Sequence, residues 1–310
     1  METADGPGDR GNQTDKMSGR YIITGLIFLA ILLHFSSVAF GAEEILIGLI
    51  PEENIFNQMQ RHRPLAAYLS AKIGTTLRFT VLSRYGDVMD RFVSRKMDGA
   101  FFGVFTSVMA MEMIEAEPIA RPVNLEGSSH VQSYIFVRKD SGIRDSKNMK
   151  GKRIAFVDRA TATGYLFALA YLREQGISDL KAYFSDISFT GSHGSTIYTV
   201  LDGRADIGTV KSKIFQIAIA KDPSINDELA IIAKSREFPE NTLFLRKDLP
   251  QKIRSQIKAA LVGMDRDPEG AEVLKSLAAL RFIETKKGDF QPFYDVAQKA
   301  GIILRTYKYR

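Results

Sequence analysis

The sequence contains no cysteine among its 310 residues. This absence excludes disulfide bonds, thiolate catalysis, cysteine-ligated zinc and lipid attachment at a cysteine after an export signal. Histidine is scarce: only His62, His130 and His193 follow residue 41, and there is neither a His-Glu-x-x-His helix nor a Gly-x-Ser-x-Gly elbow. We therefore expect no enzyme activity, no metal site and no cofactor.

Long proline-, serine- or glutamine-rich tracts are also absent. The composition, 45% hydrophobic and 25% charged, is typical of a folded globular protein. Without its first 41 residues the chain keeps 39 of its 42 basic and 32 of its 36 acidic residues, a formal net charge of +7. Such a charge favours anionic ligands, although a solvated basic surface is the better explanation of it. No arginine-rich helix or aromatic–basic ladder indicates nucleic-acid binding.

An apolar run from Tyr21 to His34 lies near the N-terminus and is preceded by Arg20. Ala39 and Gly41 supply the small residues that a signal peptidase accepts at positions −3 and −1. We therefore predict that residues 1–41 are an N-terminal extension and signal peptide, removed by cleavage after Gly41.

The alternative to cleavage is an uncleaved membrane anchor. A span needs about 20 predominantly apolar residues, and polar residues interrupt this run. Met17 is the expected start of translation, because Met17-Ser-Gly-Arg20 fits the basic beginning of an export signal and residues 1–16 do not. A freely diffusing exported binder needs an outer membrane to retain it, so we predict a periplasmic protein, acting as a monomer.

Strand-like and helix-like segments alternate after this segment, which predicts an α/β fold with mixed, mostly parallel sheets flanked by helices. Strands are predicted at Ile45–Ile50, Leu77–Leu82, Gly99–Phe102, Ser133–Arg138, Arg153–Val157, Ile207–Val210 and Leu229–Ala233. Helices are predicted at Pro64–Ile73, Tyr85–Lys96, Gly164–Gln175 and Thr196–Leu201. The tail Pro250–Ile302 is also predicted to be helical, with Asp267 and Pro268 as an N-cap and first-turn pair within it.

Three predicted strand-to-helix junctions carry hydrogen-bond donors. In an open α/β sheet, ligands lie at the carboxyl ends of the strands, where helix N-termini present unpaired N–H groups. Hydroxyl groups at these junctions either cap the helix or bind an oxyanion, and the sequence leaves both open. The candidate residues are Thr106, Ser107, Thr161, Thr163, Gly164 and His193.

The chain resembles the phosphate, phosphite and phosphonate substrate-binding proteins of bacterial ABC importers. The similar segments are Ile47–Pro51, Pro64–Leu69, Gly151–Asp158, Thr190–His193 and Asp265–Gly270. The resemblance implies a two-lobed type II periplasmic binding protein whose crossover strands are Ser133–Lys139 and Ala233–Leu245. Lobe I is expected to contain residues 42–135 and 240–310, and lobe II residues 136–239.

The resemblance also implies a set of site residues. The anion loop of the family falls on Thr161–Gly164, and its pocket histidine falls on His193. Tyr85 matches a tyrosine that lines the cleft, and Gln132 stands in place of a pocket tyrosine. Asn241 stands where aminophosphonate binders place a carboxylate, which argues against a ligand that carries an amine.

The implied function is capture of a small oxyanion by lobe closure, without chemistry, for delivery to an importer permease. A ligand sensor that reports to a membrane signalling kinase is the alternative partner assignment. An exported enzyme is the third possibility, with Ser192, His193 and either Asp158 or Asp206 as a hydrolytic set, although adjacent serine and histidine on a turn usually point apart.

Overall fold

The computed structural model of the protein describes residues 1–3, 44–94, 96–114 and 116–309. All of its described helices and strands belong to the unit that begins at Glu44. The predicted start at Met17 and the predicted cleavage after Gly41 lie outside the described residues. Within the described ranges, no helix is long and apolar enough to cross a membrane.

Thirteen strands form within these residues, and seven of them lie where apolar segments predicted strands. The strands are β1 (Ile45–Leu49), β2 (Leu77–Val81), β3 (Gly99–Phe102), β4 (Ala116–Asn124), β5 (His130–Val131), β6 (Ser133–Arg138), β7 (Arg153–Phe156), β8 (Asp186–Phe189), β9 (Ile207–Lys211), β10 (Leu229–Lys234), β11 (Phe238–Pro239), β12 (Thr242–Arg246) and β13 (Ala279–Glu284).

Helices flank these strands, and a π-helical turn at Ala162–Leu166 leads into one of them. The α-helices of the described residues are α1 (Ile55–Ile73), α2 (Asp87–Val93), α3 (Val104–Met113), α4 (Phe167–Glu174), α5 (Leu180–Tyr183), α6 (His193–Leu201), α7 (Ser212–Lys221), α8 (Ser224–Glu228), α9 (Gln251–Val262), α10 (Pro268–Ser276) and α11 (Gln291–Lys299).

The strands form two mixed sheets and a small third one. The six-stranded sheet has the order β13-β4-β12-β3-β1-β2, and the five-stranded sheet has the order β10-β6-β9-β7-β8. Parallel pairing joins β1 to β2 and β3, and β7 to β8 and β9, whereas the other strand pairs described in these two sheets are antiparallel. The mixed α/β architecture is confirmed. The expectation of mostly parallel pairing is wrong, because the strands flanking the connections between the sheets run against their neighbours.

The chain passes between the two large sheets at β5 and β11, which pair with each other antiparallel. The predicted crossover at Ser133–Lys139 is therefore misplaced, because Ser133–Arg138 is β6 and is bonded to β9 and β10 on its two sides. The predicted crossover at Ala233–Leu245 contains β11, but its ends belong to β10 and β12. The lobe boundary expected after residue 135 falls inside β6.

Two helix starts illustrate how capping residues set the element bounds. The helix predicted to begin at Pro64 begins earlier, at Ile55, because the Asn54 side chain accepts hydrogen bonds from two backbone N–H groups of the first turn. Pro64 lies inside this helix. The predicted start at Asp267 and Pro268 is confirmed, since Asp267 caps α10 and proline occupies its first turn.

The prediction that the C-terminal tail is helical throughout is wrong, because β13 interrupts the tail and pairs antiparallel with β4. A register shift between Ala279 and Arg281 leaves both Ala279 and Phe282 buried. Buried residues three apart imitate the period of a helix, and this bulge explains the error.

One apolar cluster connects the carboxyl end of β3 with that of β7. It contains Phe102 and Phe105 from the first and Val157, Ala162 and Leu166 from the second, all buried. Tight packing of these groups fixes the relative positions of two strand-to-helix junctions, so that polar groups at both can face one space.

Candidate functional site

A cavity lies between these junctions and the end of β9. Five of the nine predicted site residues line it: Tyr85, Thr161, Thr163, His193 and Asn241. Its volume of about 20 Å³ is close to the space that one water molecule needs. The structure thus brings together residues that are as far apart in the sequence as Tyr85 and Asn241.

The Thr161–Gly164 segment follows β7 through a tight turn. The carboxylate of Asp158 accepts a hydrogen bond from the backbone N–H of Ala160 (2.7 Å), and the Thr161 hydroxyl donates to the backbone carbonyl of Asp158 (2.6 Å). Thr161 occupies the N-cap position, yet its side chain makes no capping bond. Its predicted capping role is therefore wrong, and the first N–H groups of the turn have no partner within the helix.

Gly164 has a packing role. A Cβ atom there would lie 2.5 Å from Cβ of Val157, a distance that side-chain carbons do not tolerate. The Gly164 carbonyl accepts hydrogen bonds from the Thr209 hydroxyl (2.5 Å) and the Val157 N–H (3.1 Å). Glycine is thus needed for close contact between the π-helical turn and two strands, and Gly164 is not among the cavity-lining residues.

His193 begins α6 and is only 2% exposed. Its Nδ1 accepts a hydrogen bond from the backbone N–H of Lys211 (3.1 Å). An accepting Nδ1 carries no proton, so the neutral ring must carry its proton on Nε2. Burial lowers the pKa of His193 from 6.5 to about 3, so the ring is a neutral donor at physiological pH.

Tyr85 is 2% exposed, and its hydroxyl has no hydrogen-bond partner among the described residues. Its ring packs edge-on against that of His193, with 6.0 Å between the ring centroids. Burial, reinforced by the charges of Glu52 and Asp158, holds the pKa of Tyr85 well above 10. The site therefore contains a buried, permanently protonated hydroxyl whose hydrogen-bonding capacity is unused.

Besides Gly164, three predicted site residues do not line the cavity. The Thr106 hydroxyl donates to the Gly103 carbonyl (3.0 Å), and the buried Ser107 hydroxyl donates to the Phe102 carbonyl (3.4 Å). The Gln132 side chain donates to the Ser235 carbonyl (2.8 Å), beside the connection between the sheets. At the start of α3, the cavity is lined instead by Gly103, Val104 and Phe105.

Lys211, Glu52 and Glu240 form a buried ionic cluster that the sequence analysis missed. Lys211 Nζ lies 2.8 Å from Oε1 of Glu52 and contacts Oε1 of Glu240, and it donates to Oδ1 of Asn241 (3.0 Å). Lys211 and Glu52 line the cavity, together with Asn241. Lys211, the last residue of β9, is thus a cation that lines the predicted anion site.

All three ions of this cluster are held in their charged forms. Burial alone would lower the pKa of Lys211, but the charges of Glu240 and Glu52 outweigh it and raise the pKa. Burial would raise the pKa of Glu52, yet the adjacent Lys211 brings it down to about 2. The pKa of Glu240 is lowered in the same way, against burial, by Lys211 and Lys213.

The signal for Lys211 was present in the sequence. It ends an apolar strand and precedes Ser212, the first residue of α7. Thr161 was singled out at a junction of the same kind, where a strand is followed by a helix, but a lone lysine at such a position usually indicates solvent exposure. The expected loss of a carboxylate at Asn241 is offset by its neighbour Glu240, whose Oε1 also accepts the Asn241 backbone N–H (2.7 Å).

A second cavity of about 60 Å³ adjoins the first. Glu52 and Asn241 line both cavities, and the other polar residues that line the second one are Gln58, Arg61, His62, Lys213 and Glu240. Lys213 Nζ lies 3.7 Å from Oε2 of Glu240. Glu52 and Asn241 therefore lie in the wall between two cavities, and Glu240, which lines the second, contacts Lys211 of the first and Lys213 of the second.

The residues considered as a hydrolytic set are not assembled. Asp206 pairs with Arg153 (2.8 Å), and the Ser192 hydroxyl donates to that of Ser195 (2.9 Å) while Nδ1 of His193 is occupied by a backbone N–H. In the described part of the chain, no group of three His, Cys, Asp or Glu side chains is placed to hold a metal ion.

Comparison with known proteins identifies the family. The model of the family described as ABC transporter, phosphonate, periplasmic substrate-binding protein matches residues 47–290. The chain belongs to this family. The cavity between the two mixed sheets is the candidate ligand cleft of this family member.

Relatives and solved structures agree with this assignment. The phosphate-import protein PhnD of Mycolicibacterium smegmatis is 31% identical over 175 residues, which are 54% of this chain and 54% of that relative. A binding component of a phosphonate transporter from Pseudomonas aeruginosa has a TM-score of 0.77 at 20% identity, covering 83% of this chain and 86% of its own. PhnD1 of Prochlorococcus marinus, solved with methylphosphonate, has a TM-score of 0.75 at 19% identity, covering 84% and 100%. The substrate-binding protein therefore has the type II periplasmic binding fold.

Proposed function

We propose that the protein binds a small phosphorus oxyanion, of the phosphate, phosphite or phosphonate class, and delivers it unchanged to an ABC importer. One observation carries this proposal: residues that bear neutral donors line one cavity. They are Tyr85, whose hydroxyl is buried without a partner among the described residues, Thr163, His193 with its proton on Nε2, and the residues that follow Thr161 at the start of the π-helical turn. Neutral donors suit a tetrahedral oxyanion, because hydrogen bonds to a charged partner contribute about 1.5–3 kcal/mol each.

The ligands named for relatives support this class. The Mycolicibacterium smegmatis relative carries a phosphate-import name, and the Prochlorococcus marinus protein was solved with methylphosphonate. The absence of an assembled serine, histidine and aspartate set agrees with binding without turnover. The protein acts in the periplasm as a monomer, after removal of residues 1–41.

Closure of two lobes around the ligand is the proposed mechanism. The paired strands β5 and β11 provide the connection about which the lobes move, with one lobe built on each large sheet. The backbone N–H of Gly194 donates to the Glu52 carbonyl (3.3 Å), and Lys211 reaches the Glu52 carboxylate. Ligand binding shifts the population toward the form that makes such contacts, and this form docks on the permease.

A thermal-shift and calorimetry screen tests the ligand class. Phosphate, phosphite, methylphosphonate and sulfate are each added to the purified protein, with uncharged dimethyl methylphosphonate as the control. A true ligand at about 100 times its Kd stabilises the folded form by about 2.7 kcal/mol. If no phosphorus oxyanion shifts the transition, the proposed function is wrong. Release of altered product would instead support the enzyme alternative.

A further inference from the structure

The ammonium group of Lys211 has no hydrogen-bonding capacity left for a ligand. An ammonium donates three hydrogen bonds and accepts none. All three are matched, by Oε1 of Glu52, Oε1 of Glu240 and Oδ1 of Asn241. Lys211 therefore does not serve as the cation that directly contacts a bound anion.

The three acceptors around Lys211 form a site that fits an alkylammonium ion. Two carboxylates and an amide oxygen surround Nζ, and Lys211, Glu52 and Glu240 are each at most 7% exposed. Buried carboxylates are stable only when paired, so some cation must occupy this position. In this protein the occupant is a side chain of the chain itself.

This ammonium site is continuous with the proposed oxyanion site. Thr161, Thr163 and His193 line the same cavity as Lys211 and Glu52. A direct bond joins them, since the Lys211 backbone N–H donates to Nδ1 of His193. A molecule with an oxyanion at one end and an ammonium at the other would match both parts, if Lys211 were not there.

We infer that Lys211 is a specificity-determining residue: it fills an alkylammonium site formed by Glu52, Glu240 and Asn241, and thereby restricts the cavity to oxyanions that lack an amine. This inference rests on the proposed function and adds the chemical class that is rejected. An aminoalkylphosphonate competes with Lys211 for the same acceptors, whereas methylphosphonate does not. Truncation of Lys211 vacates the acceptors and leaves space for an aminoalkyl chain.

The test compares Lys211→Ala with the wild-type protein. Calorimetry measures Kd for methylphosphonate and for aminomethyl-, 2-aminoethyl- and 3-aminopropylphosphonate, so that no particular chain length is assumed. In the wild-type protein, every amino compound should bind more weakly than methylphosphonate. In Lys211→Ala, the ratio of the two Kd values should shift toward at least one amino compound by about tenfold or more, the value of one charged hydrogen bond.

Lys221→Ala is the matched control. Its ammonium lies 3.4 Å from the Glu53 carboxylate, next to Glu52 in sequence, but the lysine is 55% exposed and does not line the cavity. Lys221→Ala removes the same charge, from the helix that follows β9, and should leave the Kd ratio unchanged. An equal shift in both variants would reveal a general charge effect and overturn the inference.

A second variant covers the case in which Lys211→Ala does not fold. Lys211→Ala combined with Glu240→Gln leaves one buried carboxylate, that of Glu52, and should show the same shift in ratio. If folded variants bind methylphosphonate with an unchanged ratio, Lys211 does not set specificity. If the wild-type protein binds none of the oxyanions, the proposed function fails and the inference falls with it.

Discussion

Both ends of the cavity are lined by buried polar side chains, but those at one end are neutral and those at the other are charged and paired. At one end, Tyr85, Thr163 and His193 are neutral, and the Tyr85 hydroxyl has no partner among the described residues. At the other end, Lys211 and Glu52 are charged and fully paired with neighbours. In the proposed function, the neutral donors bind the ligand, and in the inference drawn above the paired charges exclude an amine. The net charge of a cleft therefore does not show which part of it binds the ligand.

The largest loss of stability is expected from a substitution at the charged end of the cavity. Lys211→Met leaves two buried carboxylates without their cation and should lower the free energy of unfolding by about 3–5 kcal/mol. Lys221→Met removes an exposed partner of Glu53 and should cost less than about 1 kcal/mol. Urea unfolding at pH 7 measures both values. Similar losses would mean that the Lys211 cluster contributes no more than a surface ion pair.

The two ends of the cavity should lose their contributions to stability in different pH ranges. The unfolded chain protonates His193 near pH 6.5, but in the folded protein its pKa is about 3. Unfolding between pH 6.5 and pH 3 therefore takes up a proton, so the free energy of unfolding falls as the pH drops through this range. His193 alone should lower it by roughly 2 kcal/mol at pH 5. The Glu52 pKa is lowered from 4.5 to about 2, so its contribution is lost only below pH 4.5.

His193→Gln is the variant that isolates this effect, because an amide oxygen can still accept the Lys211 N–H. Its stability should depend less steeply on pH between 6.5 and 4.5 than that of the wild-type protein. His62, whose pKa is lowered to about 4 mainly by burial, accounts for part of the remaining slope. Urea unfolding across this pH range is the measurement, and identical slopes would contradict the neutral state assigned to His193.

Thr163 and Thr106 lie at similar strand-to-helix junctions, but their substitution should affect ligand binding differently. Thr163→Ala should weaken oxyanion binding by about tenfold, or 1.4 kcal/mol, because the hydroxyl-bearing residue lines the cavity. Thr106→Ala should leave Kd unchanged, since the Thr106 hydroxyl is bonded to the Gly103 carbonyl. Calorimetry with methylphosphonate compares the two. Equal losses would show that the α3 terminus also binds the ligand through its side chains.

Tyr85→Phe should have opposite effects on stability and on binding, and both should be small. Loss of a buried hydroxyl without a partner should stabilise the ligand-free protein by about 1 kcal/mol. The same change should weaken oxyanion binding several-fold. Melting temperatures with and without methylphosphonate measure both effects. A destabilised ligand-free variant would indicate that the hydroxyl is already satisfied.

Sequence patterns located most of the neutral end. Apolar strands followed by hydroxyl groups pointed to Thr161 and Thr163, and family resemblance pointed to Tyr85 and His193. Thr106 had the same local pattern but a different outcome, because its hydroxyl bonds back to the preceding turn. Side-chain direction at a helix start depends on such local bonds, which residue order alone does not determine.

The charged end was missed because its members are isolated in the sequence. Glu52, Lys211 and Glu240 lie far apart along the chain, and their proximity depends on the arrangement of separate sheets and on the connection at β11. Each reads locally as a solvent-exposed residue. Only the fold reveals that these charges are buried together, and the β13 bulge shows in another way how tertiary pairing overrides a local pattern.

The wall between the two cavities makes them electrostatically interdependent. Glu240 is shared by Lys211 on one side and by Lys213 on the other. A charge gained or lost beside Arg61 or Lys213 alters how strongly Glu240 holds Lys211, and so alters the ligand cleft from outside it. Affinity in this protein can therefore evolve through substitutions that never touch the ligand.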